Sequence, residues 1–211
     1  MPIDHKKETS YLSQWKYYEA GGVGRKYWDY RDDKVFSFIK DEHKKIIDLG
    51  CGEGITLKKL TDRFPERDIT GIDVVEENIS ICKEHGLSAQ LGSAYDLSDI
   101  DKGSVDLCVF SEVIEHLDDP ALALKSINGV LKEGGELIIV FPNDFMFKLS
   151  RITFLMFKEA FADFGHVEQF TPKKIKRLLK DSGFEVQTTL NTPFRLWPIS
   201  LHCIVSAKKV T

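Results

Sequence analysis

Residues 45–54, KIIDLGCGEG, confine this chain to a small set of architectures. The apolar side chains of Ile46, Ile47 and Leu49 form a strand-length run that passes directly into Gly50, Gly52 and Gly54. Beyond the glycines, Leu57, Leu60 and Phe64 fall on one face of a helix. A glycine turn between a strand and a helix lets a ligand approach the backbone closely. It also places that ligand at a helix N-terminus, where unpaired N–H groups collect. Further strand-length runs at 69–73 (ITGID), 105–111 (VDLCVFS) and 136–141 (ELIIVF) alternate with helical periodicity at Ile79 to Cys82 and Leu122 to Leu131. This alternation predicts βαβ units and a parallel sheet covered on both faces, with the continuous apolar runs at 105–111 and 136–141 as its central strands. Runs at 184–189 and 201–207 extend the sheet.

The spelling of the loop narrows its ligand. A dinucleotide fingerprint, G-x-G-x-x-G, needs glycine at position 55, which is Ile55. Asp48, two residues before Gly50, would repel a pyrophosphate and attract an ammonium group. At an effective dielectric of about 20, unit charges about 4 Å apart interact by roughly 4 kcal/mol, so the sign of this interaction discriminates. Asp73 closes the second strand, nineteen residues after Gly54, a spacing at which an acid accepts hydrogen bonds from ribose hydroxyls. Val74 then offers an apolar surface to a base.

Composition limits the partners. The 211 residues carry a net charge of −4, so no basic field gathers nucleic acid, and the basic run at Lys173, Lys174, Lys176 and Arg177 reads as a solvated helix face. No apolar run reaches the roughly 18 residues of a membrane span, and MPIDHKKETS lacks the apolar core of a secretory signal. The four dispersed cysteines suit a reducing, cytoplasmic compartment, and no His, Cys and acidic spacing demands a metal. One domain over 1–211 is expected, with two aromatic additions. Residues 1–32 hold five of the six tyrosines, and residues 141–170 hold eight of the fourteen phenylalanines. Within the second addition Phe154, Phe157, Phe161 and Phe164 recur on one helical stripe. The stripe reads first as packing on the sheet edge; the sharper reading makes both additions lids over an apolar or aromatic ligand, and the stripe could instead touch a membrane surface or a dimer partner.

Taken in order, IIDLGCGEG (46–54), GIDVVEENI (71–79), LGSAYDL (91–97), GSVDLCVFSEVIEHLDDP (103–120), LKEGGELIIVFPN (131–143) and HVEQFTPKKIKRLLKDSGFEV (166–186) resemble the motif series of class I S-adenosylmethionine-dependent methyltransferases. Within that class they are most similar to the small-molecule group that includes ubiquinone-biosynthesis O-methyltransferases. The resemblance implies an α/β, Rossmann-like, doubly wound sheet of seven mostly parallel strands with the last antiparallel, N-terminal helices and a lid insertion after strand 5. It implies S-adenosylmethionine as cofactor and a small methyl acceptor, with a monomer or homodimer as the working unit. Cofactor contacts would come from Asp48, Gly50, Cys51, Gly52, Gly54, Asp73, Val74, Ser93, Ala94, Tyr95, Ser111 and Glu112. Ser93 departs from the aspartate common at its place. His116 and His166 are the candidate bases for a hydroxyl acceptor, and Tyr18, Met146, Phe147 and Met156 the candidate substrate contacts. An NAD(P)-dependent oxidoreductase and a non-catalytic adenosylmethionine binder are the alternatives.

Overall fold

In the computed structural model of the chain, residues 14–153 and 167–210 are described. Seven strands form one sheet in the order β3-β2-β1-β4-β5-β7-β6. They are β1 (Lys45–Leu49), β2 (Asp68–Asp73), β3 (Ala89–Leu91), β4 (Val105–Ser111), β5 (Leu131–Pro142), β6 (Phe184–Thr192) and β7 (His202–Lys209). β7 runs antiparallel to both of its neighbours, β5 and β6, while the pairs among β1 to β5 are parallel. The expected doubly wound sheet with an antiparallel last strand is therefore present, together with the N-terminal helices.

Period-two alternation sorts the strand side chains between two cores. Ile47, Leu49, Cys108, Phe110, Leu137, Ile139, Cys203 and Val205 face one layer, under α5 (Pro120–Val130) and α7 (Pro172–Asp181). Ile46, Leu107, Val109, Ile138, Val140 and Ile204 face the other, under α2 (Gly22–Phe36), α3 (Ile55–Arg63) and α4 (Glu76–Glu84). Helices α5 and α7 start where the sequence provides both a cap and a proline. The Asp119 carboxylate accepts from the Leu122 N–H at 3.0 Å ahead of Pro120, and the Thr171 hydroxyl accepts from the Lys174 N–H at 3.3 Å ahead of Pro172.

Three elements differ from the sequence reading. β3 is an exposed three-residue edge strand, too short for its periodicity to register. β5 begins at Leu131, five residues before the apolar run, because Gly134 at φ 73° lets the chain enter the sheet through a turn-like stretch. After β5 the insertion opens as α6 (Asp144–Thr153), while the phenylalanine stripe at 154–164 lies outside the described residues. Among the described residues no helix is long and apolar enough to cross a membrane.

The topology positions the site. Strand order reverses between β1 and β4, so their two C-terminal loops diverge and open a crevice, the usual ligand position in doubly wound sheets. Because β7 is antiparallel, its first residue, His202, stands at this same edge, paired with Pro142 of β5 and Thr192 of β6.

Candidate active site

One side of the crevice is built from the glycine loop. Gly50, Gly52 and Gly54 all have positive φ (76°, 55° and 90°), a backbone form that L side chains rarely adopt. Gly50 also has no room for a side chain, since an added Cβ would sit 2.2 Å from Cγ2 of Val113. The loop is tied to the end of β2: Gly52 N–H donates to Oδ2 of Asp73 at 2.8 Å, and Val75 N–H and the Asn78 amide donate to its Oδ1 at 2.9 and 3.1 Å. A carboxylate has about four acceptor positions, so Asp73 keeps capacity for one further donor. Val74 beside it is exposed.

Asp48 lies beneath this loop, buried, and its Oδ2 has no hydrogen-bond partner among the described residues. Burial, then the charges of Asp32 and Asp73, push its carboxyl up from 3.8 to about 7, with Arg31 pulling the other way. Cys51 points inward, where its Sγ would meet any side chain added at Gly71 and donates to the Gly52 carbonyl. The neighbouring Cys82 and burial push the thiol up, and this cysteine packs the loop. Beyond β3, Ser93 and Asp96 form an isolated bridge, and the Ser93 hydroxyl accepts from the Tyr95 N–H at 3.2 Å. The Tyr95 hydroxyl accepts from Asp118 N–H at 2.9 Å, and Ala94 between them packs against the core.

The N-terminal aromatic segment reaches the same loop. From α1 (Gln14–Ala20), the Trp15 backbone and indole N–H groups donate to Glu53 at 3.1 and 2.7 Å, and its ring stacks on His85 at 4.0 Å between centroids. Tyr18 turns elsewhere: its hydroxyl donates to Asp29 at 2.9 Å, and Lys59 lies 4.7 Å from its ring centre. It lines an open cavity of about 370 Å³ with Asp29, Asp32 and Lys59.

Across the crevice, Ser111 ends β4 and Glu112 follows with φ +56°, the one positive φ outside glycine among the described residues. Such backbone strain costs on the order of 1 kcal/mol or more and persists where the surroundings fix it. Here the Glu112 N–H is spent on the Val140 carbonyl at 2.9 Å, and its carboxylate is paired with both Arg31 of α2 and His202 of β7. Burial works to raise the Glu112 carboxyl, but the facing His202 and the Arg31 guanidinium outweigh it and hold the group far below the usual carboxylate range. Arg31 is fixed in turn by Asp32, whose second oxygen takes Lys59 of α3 at 2.6 Å.

His202 is fully buried, with its Nδ1 2.7 Å from the Tyr27 hydroxyl. The Tyr27 ring stacks on it at 5.5 Å, and Phe147 of α6 meets it edge-on at 4.8 Å. Met146 is half-buried in the turn before Phe147, its N–H facing Asn143 Oδ1 at 3.3 Å. His116 is exposed on the 3₁₀ turn Ile114–His116. His166 and Met156 lie outside the described residues.

The structure thus gathers Asp48, the glycines and Asp73 on one side of the crevice and Glu112 with Phe147 on the other. Arg31 and His202 are not among the expected site residues. His202 hides in LHCIVSA, which reads as an apolar strand, and Arg31 sits among aromatic and acidic neighbours whose helix shows little amphipathic pattern.

With this geometry in view, a methyltransferase-domain family model matches residues 26–189. The chain belongs to this family. It is a class I S-adenosylmethionine-dependent methyltransferase domain, which removes the oxidoreductase alternative. A ubiquinone biosynthesis O-methyltransferase of Alkalilimnicola ehrlichii is 31% identical over 103 residues, 46% of this chain and 41% of that protein. A probable S-adenosylmethionine-dependent methyltransferase of Mycolicibacterium smegmatis is 28% identical over 78% of this chain and 62% of its own length. The chain therefore matches roughly two fifths to three fifths of these curated relatives. Among solved structures, a possible histamine N-methyltransferase of Thermotoga maritima superposes with TM-score 0.71 at 20% identity, covering 93% of this chain and 95% of its own. A methyltransferase of Archaeoglobus fulgidus does so with TM-score 0.70 at 19% identity, covering 93% and 99%. These two likenesses speak for the fold.

The residues present fit S-adenosylmethionine. Asp48 offers a buried carboxylate oxygen without a protein donor, as an ammonium group requires, and the positive φ of Gly50, Gly52 and Gly54 keeps the loop backbone free of side chains above it.

Proposed function

We propose that this domain transfers the methyl group of S-adenosylmethionine to a hydroxyl oxygen of a small apolar or aromatic acceptor, leaving S-adenosylhomocysteine. The observation that carries the reading is the asymmetry of the crevice. One side offers glycine backbone and carboxylates suited to an adenosyl and amino-acid ligand. The other offers the rings of Tyr27 and Phe147 packed on His202, which faces a charge-held Glu112.

In this reading Asp48 takes the ammonium group, and Gly50, Cys51, Gly52 and Gly54 receive the ligand along their backbone. Asp73 accepts from the ribose, and Val74, Ser93, Ala94 and Tyr95 surround the adenine. Ser111 and Glu112 border the methionine portion. Phe147, Met146 and Met156 contact the acceptor, Tyr18 drops out of that set because its hydroxyl is turned to Asp29, and His166 or His116 serves as base. The sulfonium cofactor brings a methyl group with a good leaving group, so the protein's part is alignment of the acceptor and exclusion of water. The aromatic segments 1–32 and 141–170 supply that exclusion as lids on a single domain spanning 1–211. The Trp15 contacts with Glu53 support the first of these. A cytoplasmic monomer or homodimer, without nucleic acid or metal, completes the reading, supported by a net charge of −4 and four free cysteines.

The test is release of S-adenosylhomocysteine by the purified chain with matched hydroxyl and amine acceptors on the same aromatic scaffolds. Turnover of the hydroxyl series is expected. Methylation of amines alone, or binding of S-adenosylmethionine with no turnover of either series, would refute it.

A further inference from the structure

The buried histidine at the start of β7 has a polar group against each ring nitrogen, and the two differ in kind. Nε2 lies against the Glu112 carboxylate as a close charge contact without regular hydrogen-bond geometry, and Nδ1 faces the Tyr27 hydroxyl at 2.7 Å. A carboxylate ionised by Arg31 can only accept, so Nε2 carries the hydrogen and Nδ1 is left as an acceptor. The Tyr27 O–H therefore donates to Nδ1, and the phenol oxygen keeps acceptor capacity of its own, part of it facing Thr192 Oγ1 at 3.2 Å. Tyr27 is only half-buried, whereas His202 is sealed behind it. Of the two, the phenol lies nearer the surface and His202 behind it.

We propose that Tyr27 is the catalytic contact that receives the acceptor's hydroxyl proton, with His202 and Glu112 as positioning residues that pass it inward. This rests on the oxygen-acceptor reading above and puts Tyr27, in place of His166 or His116, as the base. The acceptor oxygen forms a bond to the methyl carbon as the carbon–sulfur bond breaks, its electron pair going to sulfur. The acceptor's proton moves to the Tyr27 oxygen while Tyr27's own proton moves to Nδ1 of His202, giving an imidazolium opposite the Glu112 carboxylate. No oxidant or further reactant is consumed, and the proton returns to water after product leaves.

The charges around the relay are consistent with this direction of transfer. Burial lowers His202 below its ordinary value of 6.5, with Glu112 opposing, so the imidazole is neutral and ready to accept. Burial pushes the Tyr27 phenol up, so it works as a hydroxyl that donates as it accepts, and not as a standing phenolate. The groups facing His202 are Tyr27, Arg31 and Asp32 from α2, Glu112 after β4, Thr192 of β6 and the apolar Phe147 of α6.

Tyr27→Phe removes one oxygen atom and leaves the ring stack, which makes it the deciding variant. S-adenosylhomocysteine release is measured at saturating S-adenosylmethionine with phenol, catechol, 4-nitrophenol (largely ionised in mildly alkaline buffer) and benzylamine, with calorimetric S-adenosylmethionine affinity alongside. Wild type is expected to turn over phenol or catechol, with a rate that rises with pH through a limb below pH 6.5. Tyr27→Phe is expected to lower that rate by about 10²–10⁴-fold, to abolish the limb, and to keep S-adenosylmethionine affinity within about twofold. It should lose less than about tenfold with 4-nitrophenol, whose proton is already gone. Equal losses on phenol and 4-nitrophenol, or no loss on either, would overturn the relay alone. Wild-type turnover of benzylamine without any phenol, or of no probe at all, would overturn the oxygen-acceptor reading and the relay with it.

Discussion

Replacing Asp48 by asparagine should separate stability from cofactor binding in opposite directions. In the ligand-free protein this carboxyl rises from 3.8 to about 7, mainly through burial and then through Asp32 and Asp73. A group whose acid form is favoured by folding penalises the folded state when it ionises. The penalty is fully present above pH 7, fades as pH falls through the folded value, and is gone below the unfolded value near 3.8. At about 1.4 kcal/mol per pH unit, the interval corresponds to roughly 4 kcal/mol at pH 8. The asparagine NH₂ would itself lack a partner, at a cost of about 1–3 kcal/mol, leaving a net gain of about 1–3 kcal/mol. Urea titrations of the ligand-free protein should therefore show Asp48→Asn more stable than wild type at pH 8 and no more stable at pH 4.5. Calorimetry at pH 8 should show S-adenosylmethionine binding weakened by about 10–10³-fold, because an ion pair worth up to roughly 4 kcal/mol is lost. A variant less stable than wild type at pH 8, or one that binds as tightly, would refute the account of Asp48 as a buried charge held in readiness for a cation.

The same titration predicts that wild-type affinity for S-adenosylmethionine falls about tenfold between pH 8 and pH 6, with little change in Asp48→Asn, followed by calorimetry in matched buffers. Gly50→Ala should abolish cofactor binding and destabilise the fold by about 2 kcal/mol or more, since the Cβ meets Val113 at 2.2 Å on a backbone with φ +76°. Adding Val113→Ala relieves the clash but not the φ, so partial recovery of thermal stability without recovery of affinity is the expected result. Asp73→Ala should weaken S-adenosylmethionine by about tenfold or more, through both the ribose and the released Gly52 N–H, and unchanged affinity in a folded variant would exclude Asp73 from the site.

Legibility in the sequence follows the range of the interactions. The glycine loop, Asp48 and Asp73 are readable because strand, turn and helix are consecutive there, so spacing alone encodes geometry. The sheet is readable because β1, β4 and β5 are buried on both faces and spell continuous apolar runs. The exposed three-residue β3 carries no such pattern and escapes a reading by periodicity. Arg31, Glu112 and His202 meet across separations of 81 and 90 residues through α2, the turn after β4 and the start of β7. No local periodicity records such a meeting. A positive φ at Glu112 is likewise invisible in a segment, SEVIEHL, that contains no glycine.

The two sides of the crevice are therefore specified by different physics. The cofactor side is set by backbone: glycines that exclude side chains, and a carboxylate chain from Asp73 to the Gly52 N–H. The acceptor side is set by charge: Lys59, Asp32, Arg31 and Glu112 form a continuous series of ion pairs from α3 through α2 to the turn after β4, with the neutral His202 of β7 against its end. Arg31 and Asp32 are the buried pair of the series, and removing one leaves the other unpaired at about 3–5 kcal/mol, while the more exposed Glu112 is held less strongly. Asp32 belongs to both sides, since it fixes Arg31 and also raises Asp48. Arrival of a cation at Asp48 lowers the negative charge that Asp32 faces, and with it the balance around Arg31 and Glu112. The cofactor and acceptor sides meet electrostatically at Asp48, on which Asp32 and Arg31 act in opposite directions. Asp32→Asn should accordingly shift the pH dependence of S-adenosylmethionine binding to lower pH as well as weaken the hold on Arg31. An Asp32→Asn protein whose binding titrates as wild type does would show the two sides to be independent.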